Sequence, residues 1–327
     1  MELVPKNLDD FIYNKNIAKR LKVYNNNFIE NLIFFGLNNS GKRTLISGLL
    51  NHISNNTIVR NLRTYKLKIN NNKIEINFIE SRYHFEINLY EYGNYDKNII
   101  TEFLKYIIKF KNVTELKYKI IVIHHFDKVS KIAQLALRRI IEQFHKVGRF
   151  ILCCENINKI DKALISRFVY IRVPRPKTEI IKVYIKSSLE KFKKNYDVNI
   201  IDVILDKSKN CIYKVYLLLY NYIKLDKIAD FIINDESIIQ PLLVEINRPN
   251  LKSMQKIRTI IYRYLLLNFS PTLLFSLIRA HYIKILPEKK KYQLINISSK
   301  ADQYMNSISY NIFALEFLIL NIKHLLL

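Results

Sequence analysis

Residues 31–44, NLIFFGLNNSGKRT, constrain this chain more than any other stretch. A short apolar run, Leu32 to Phe35, delivers Gly36, and four residues later come Gly41 and Lys42. That is the spacing of a phosphate-binding loop set between a buried strand and a helix. In such a loop glycines let backbone N–H groups face phosphate oxygens, and the lysine reaches the β and γ phosphates. Asn39 tolerates the positive φ that such a turn demands. The position after Lys42 should carry a Ser or Thr hydroxyl to hold Mg²⁺, and it is Arg43, which has no lone pair to offer a cation. The Thr44 hydroxyl lies one helical step further round. Gly36, Asn39, Ser40, Gly41, Lys42, Arg43 and Thr44 are therefore the candidate contacts for ATP or ADP. Hydrolysis that depends on Mg²⁺ is not expected of them, and no metal ligand is assigned.

The first half of the chain fits such a loop. Leu32–Phe35, Ile120–Ile123 and Phe150–Cys153 are brief, bounded and almost wholly apolar, as suits strands buried on both faces of a parallel sheet. Between the last two, Ile132, Leu135, Ala136, Ile140 and Phe144 recur at helical spacing. The loop is followed by LISGLLNHI, another helical stretch. Strand, loop, helix and further strands with crossovers predict an α/β nucleotide-binding domain. Val173–Pro176 (VPRP) then punctuates the chain. Beyond it the pattern is almost entirely helical, with EIIKVYIKSSLEKF and KIRTIIYRYLLL amphipathic and Ile257, Ile260, Ile261, Tyr264 and Leu265 along one face of the second. Asn247–Asn250 and Ser270-Pro271 separate helices, Asn25–Asn27 is a loop, and Asn70–Asn72 reads as a hairpin turn.

Composition adds a weaker constraint. The formal net charge is +25, with 53 Lys and Arg against 28 Asp and Glu, which invites a polyanionic partner such as nucleic acid. An AT-rich coding bias toward Ile, Asn, Lys and Tyr, with no Trp, accounts for part of that excess. No apolar run reaches the length of a membrane span, and MELVPKNLDD lacks a secretory pattern. Cys153, Cys154 and Cys211 form neither a disulfide framework nor a zinc spacing, which points to a reducing compartment.

A phosphate loop of this class expects an acidic pair at the end of a second buried strand. The strand KIIVI is present, but it ends His124-His125-Phe126-Asp127. The two histidines read as polar caps rather than as a metal site, since adjacent strand residues point to opposite faces and no third ligand is apparent.

From Asp127-Lys128-Val129 onward the chain resembles the replication factor C small subunits, AAA+ proteins of sliding-clamp loaders. The resemblance rests on Gln134 to Glu142 (QLALRRIIE), the strand Phe150–Cys154, Ser166-Arg167-Phe168 and the exit Val173–Pro176. Arg43, the Cys153-Cys154 pair and Ser81–Asn88 are most similar to the non-hydrolysing subunit type at one end of the pentamer. The likeness is strong over residues 28–176 and continues as a weaker helical match, including Leu315–Phe317. It implies an α/β AAA+ P-loop domain with a parallel sheet over residues 1–175, a small helical lid over 176–233, and an all-α collar for oligomerisation over 234–327.

The resemblance also implies roles for residues. Arg167 stands where the family places an arginine finger that reaches ATP held by a neighbouring subunit. Lys131 and Arg138 stand on or beside the central helix that tracks DNA phosphates without reading bases. Arg139 points about a third of a turn away from Arg138, so the two do not share one contact. Clamp contact is expected from the outer face near Ile140–Phe144. Several departures cut the other way. Glu155 replaces the sensor asparagine, Ile212-Tyr213 replace the second-sensor arginine, and only Leu3-Val4-Pro5 is left of the segment that frames adenine. Together with Arg43 and His124-His125 they remove the parts of hydrolysis in cis.

The implied partners are other AAA+ subunits in a hetero-pentamer, a ring-shaped sliding clamp and primer–template DNA, with no membrane. The implied location is a nucleus or a comparable compartment. Two other readings stay open: a stand-alone P-loop ATPase or helicase loader acting on DNA, in which Thr44 and His125 would replace the missing groups, and a DNA-binding scaffold with no nucleotide.

Overall fold

The computed structural model of the 327-residue chain describes residues 3–55, 57–69, 72–109, 117–192, 198–208, 210–225, 235–248, 253–266, 271–307 and 311–326. Contacts divide the chain into two compact units, Met1–Ala229 and Asp230–Leu327.

The first unit opens with α1 (Lys15–Leu21), and then β1 (Leu32–Phe35) leads into α2 (Lys42–Ser54). An antiparallel hairpin follows, β2 (Asn61–Ile69) and β3 (Asn72–Glu80), then β4 (His84–Ile87). A winding segment of α3 (Asp96–Asn98), a π-helical stretch Ile99–Leu104 and α4 (Lys105–Lys109) leads to β5 (Lys119–Ile123). Next come α5 (Lys131–Gln143), β6 (Gly148–Cys154), α6 (Lys162–Ile165) and β7 (Val169–Arg172). Three further helices complete the unit: α7 (Thr178–Lys191), α8 (Val198–Ser208) and α9 (Ile212–Leu225).

All seven strands join one sheet in the order β2-β3-β4-β5-β6-β1-β7. The five from β4 to β7 run parallel, and the β2–β3 hairpin is added antiparallel at one edge. The fold is thus α/β, with the three apolar runs read from the sequence at its centre. Ile33, Ile121, Ile123, Phe150 and Leu152 are essentially inaccessible, as residues of strands covered on both faces must be. Ile69 stands opposite Asn72, and Asn70 and Asn71 of the expected hairpin turn lie outside the described residues.

Helix α5 departs from the expected stripe. Its buried positions are Ala133, Gln134, Leu137, Ile140 and Ile141, while Ile132 and Leu135 are exposed. The physical reason is Gln134, whose amide is drawn inward by three backbone groups and turns the helix with it. Ile140, a member of the expected stripe, and Ile141 face the core, and Ala136 and Phe144 pack against it. Within Ile140–Phe144, the stretch named for clamp contact, Glu142 and Gln143 are exposed.

The second unit is all helical: α10 (Asp235–Ile246), α11 (Ser253–Leu266), α12 (Pro271–Ile285), α13 (Glu288–Ser307) and α14 (Asn311–Leu326). Its core gathers Leu242, Ile257, Ile261, Ile278, Tyr282, Leu294, Leu315 and Ile319. Ile257, Ile261 and Tyr264 lie on the buried face of α11 as their spacing predicts. Arg258 grips Glu316 through two bonds of 2.5 and 2.9 Å, pinning α11 to α14. Of the expected breaks, Pro249 and Ser270 fall outside the described residues. Among the described residues no helix is long and apolar enough to cross a membrane.

Candidate functional site

The loop between β1 and α2 takes its shape from two tight backbone approaches. A Cβ on Gly36 would lie 2.2 Å from the Val173 carbonyl oxygen, because Val173 continues β7 beside β1 and its N–H donates to Phe35. A Cβ on Gly41 would press the Tyr13 ring at 3.1 Å. Asn39 (φ 59°) and Gly41 (φ 90°) are left-handed. Such turns aim successive N–H groups into one concavity and suit an anion. Lys42 is buried and folds back over the loop, donating to the carbonyls of Gly36 (2.7 Å) and Leu37 (2.8 Å). The Ser40 hydroxyl is buried with no hydrogen-bond partner. An orphaned hydroxyl, a glycine-bound cradle and a lysine satisfied only by loop carbonyls fit a phosphate group.

The same residues do not fit Mg²⁺. The Arg43 guanidinium reaches across to the end of β5, where its Nη2 stands 3.2 Å from His125 Nε2. Thr44 stands beside the phenol of Tyr13, whose pKa burial pushes up to about 12 against the lowering effect of Thr44. Among the described residues no group of three His, Cys, Asp or Glu side chains is placed to hold a metal ion.

A second polar arrangement lies behind this contact. Glu86, on β4, accepts from Arg60 Nε (3.0 Å), His84 Nε2 (2.8 Å) and His124 Nε2 (3.0 Å). Since a carboxylate cannot donate, both imidazoles carry their proton on Nε2. Burial works to raise the Glu86 pKa, but hydrogen bonds from His124 and His84 and the Arg60 charge outweigh it, so it stays ionised. The permanent charge is that of Arg60, because burial holds His84 low. Arg60 also donates to the Ser47 hydroxyl (2.8 Å), and Ser47 donates to the Arg43 carbonyl (2.9 Å). A polar ring results: Arg43, Ser47, Arg60, Glu86, His124, His125 and back to Arg43. His124 Nδ1, buried, has no partner.

His125 adopts a left-handed backbone (φ 50°), which turns it from His124 and toward the loop. Burial, then the charges of Arg43 and Lys128, lower its pKa to about 4. Neutral at ordinary pH, its Nε2 accepts from Arg43. Glu155, just beyond β6, and Asp127 sit close enough to add to the burial that raises the Cys154 thiol. Ile212 and Tyr213 open α9, the first buried and the second exposed.

Arg167 lies on a different feature, just beyond α6. Its Nη2 stands 2.6 Å from Glu142 at the end of α5, and its Nη1 donates to the Ala163 carbonyl. Arg138 shares Glu142 at 3.4 Å. Lys131 is exposed at the first position of α5, where Ser130 caps the helix by accepting from Ala133 N–H. The structure thus gathers Gly36–Thr44 with His125 at one place, and Arg138 with Arg167 at another. Tyr13, Arg60 and Glu86 were not singled out in the sequence. They carry no motif, and only strand register and the fold of the N-terminal segment bring them in.

No family model matches the chain. A putative replication factor C small subunit of Acanthamoeba polyphaga mimivirus is 29% identical over 96% of this chain and 87% of its own length. A probable replication factor C subunit 3 of Dictyostelium discoideum is 34% identical over 58% of this chain. The Arabidopsis thaliana replication factor C subunit 3 is also 34% identical, over 55%. The chain is thus similar to replication factor C small subunits, along nearly all of its length in the mimivirus relative and along about half of it in the other two. It spans about half the length of the Dictyostelium and Arabidopsis relatives, 57% and 53%. Among solved structures, a Thermotoga maritima RuvB, described as a Holliday junction branch migration motor, matches with a TM-score of 0.51 at 13% identity, covering 87% of this chain and 80% of that one. That likeness concerns the fold alone, an α/β domain with a helical C-terminal region.

Proposed function

We propose that this chain is a subunit of a sliding-clamp loader, silent in hydrolysis at its own nucleotide loop, and that it donates Arg167 to the site of a neighbouring subunit. The observation that carries the assignment is the similarity to a replication factor C small subunit along 96% of the chain. The geometry supports the silent site: Arg43 and His125 contact each other where a hydroxyl, a metal ion and a carboxylate would be needed. His125, which a stand-alone ATPase would need to position water, is taken up by Arg43, which weakens that reading. ATP or ADP is the ligand the loop would take.

In this proposal residues 1–175 are the AAA+ domain, 176–233 the lid and 234–327 the collar. The partners are other AAA+ subunits, a ring clamp and primer–template DNA, and the setting is a nucleus or a viral replication site. Exposed Lys131 and half-buried Arg138 supply DNA phosphate contacts, consistent with a net charge of +25. Arg167 is partly exposed and is held by Glu142 until an acceptor is offered.

Arg167→Ala decides the finger. In an assembled loader whose other sites are inactivated through their loop lysines, turnover at the served site should fall by about 10³-fold or more. An unchanged rate would sink the proposal.

A further inference from the structure

We propose that the loop Gly36–Thr44 binds the phosphates of a nucleoside di- or triphosphate without any divalent cation, with Lys42 and Arg43 supplying the positive charge. This rests on the reading of that loop as a nucleotide site.

The groups at the two places where a cation would be held are cationic or engaged. The position after Lys42 is a guanidinium. The Nε2 lone pair of His125, at the end of β5, accepts from Arg43. His124 is bonded to Glu86, which Arg60 neutralises. The carboxylates whose charge reaches this place are Asp127, buried with Oδ1 unpaired and Oδ2 accepting from the Asn156 N–H at 3.4 Å, and Glu155. Lys42 and Arg43 balance those two, so a dication entering here would find no net negative charge to neutralise.

The ring of contacts also does the mechanical part of a metal's work. A bound cation would bridge the first turn of α2 to the end of β5. Here the Arg43 side chain makes that bridge directly, and Ser47, Arg60, Glu86 and His124 close it from behind. The helix and strand are therefore joined before any ligand arrives. Arg43 is exposed, and its guanidinium has N–H groups beyond the one that meets His125. Nucleotide entering would meet a preset charge of two, one from each of Lys42 and Arg43.

The test is a titration of the purified full chain with a fluorescent ADP, in excess magnesium and in EDTA. The expected result is an affinity that changes less than about threefold between the two, well under the tenfold that 1.4 kcal/mol represents. Arg43→Lys should keep that indifference. The pair Arg43→Ser with His125→Asp, which restores a hydroxyl and a carboxylate, should bind about tenfold or more weakly in EDTA than in magnesium. Thermal melts of each variant verify folding. Binding lost in EDTA by the parent chain overturns the proposal and leaves the nucleotide loop standing. No binding in either buffer, with Lys42→Ala indistinguishable from the parent, overturns both.

Discussion

Arg43 donates to His125 at 3.2 Å, and a protonated imidazole could not accept that bond. The contact therefore has a pH dependence whose sign is fixed. The ordinary pKa of a histidine is 6.5 and His125 in the folded chain lies at about 4. Above 6.5 the group is neutral folded or unfolded and contributes no slope. As pH falls from 6.5 toward 4 the unfolded chain takes up a proton that the folded chain refuses, so stability is lost through that window. His125→Asn removes the proton and keeps a small polar side chain. The difference in melting temperature between parent and His125→Asn should shift against the parent as pH drops from 6.5 to about 4. A difference that stays constant over that range would refute the neutral, buried imidazole. In the sequence Arg43 and His125 were each legible as a residue out of place. Their contact was not, since 82 positions separate them. Glu86 was invisible for the same reason: only the pairing of β4 with β5, Glu86 opposite Val122, brings it to His124.

At the scale of elements, periodicity located β1, β5, β6, α2 and α5, because short all-apolar runs and helical spacing are strong local signals. It did not locate β2, whose first four residues are exposed at the sheet edge, or β7, with three of its four residues exposed. It also counted Ile132 and Leu135 of α5 as inward, where both are exposed, although Ile140 is buried and Ala136 and Phe144 pack against the core as their spacing suggests. Apolar side chains at Ile132 and Leu135 were weighted above Gln134, although Gln134 answers two carbonyls, Val129 (3.1 Å) and Lys159 (3.3 Å), and one N–H, Asp161 (2.8 Å). These bonds tie the start of α5 to the turn before α6, the helix that precedes Arg167. Gln134→Ala should destabilise the fold by about 2–4 kcal/mol, since it leaves buried backbone groups unpaired. Leu135→Ala, one residue away on the open face, should cost within about 0.5 kcal/mol. Denaturant midpoints measure both. The reverse order would restore the face that spacing alone suggested.

The molecule as a whole leaves apolar surface on its C-terminal unit that its own core does not use. Phe313 and Leu320, two turns apart on α14, are 55% and 46% exposed, and Tyr292 and Ile295 share a face of α13 at 73% and 51%. Single exposed apolar residues are ordinary, but pairs repeated at helical spacing on two helices are what an oligomerisation surface requires. Their neighbours on α14, Ala314, Leu315, Leu318 and Ile319, are fully buried, so that helix packs on the core through its inner side. This is the property expected of a collar, and it separates folding from assembly. Leu320→Ser should leave the thermal melt of the isolated chain nearly unchanged. It should weaken incorporation into an assembled loader by about 1–2 kcal/mol, or roughly ten-fold, since it removes one side chain from the contact. Sedimentation of the reconstituted complex reads the second effect and calorimetry the first. If the isolated variant melted well below the parent while assembly held, α14 would be packing inward through Leu320 and the oligomerisation face would have to lie elsewhere.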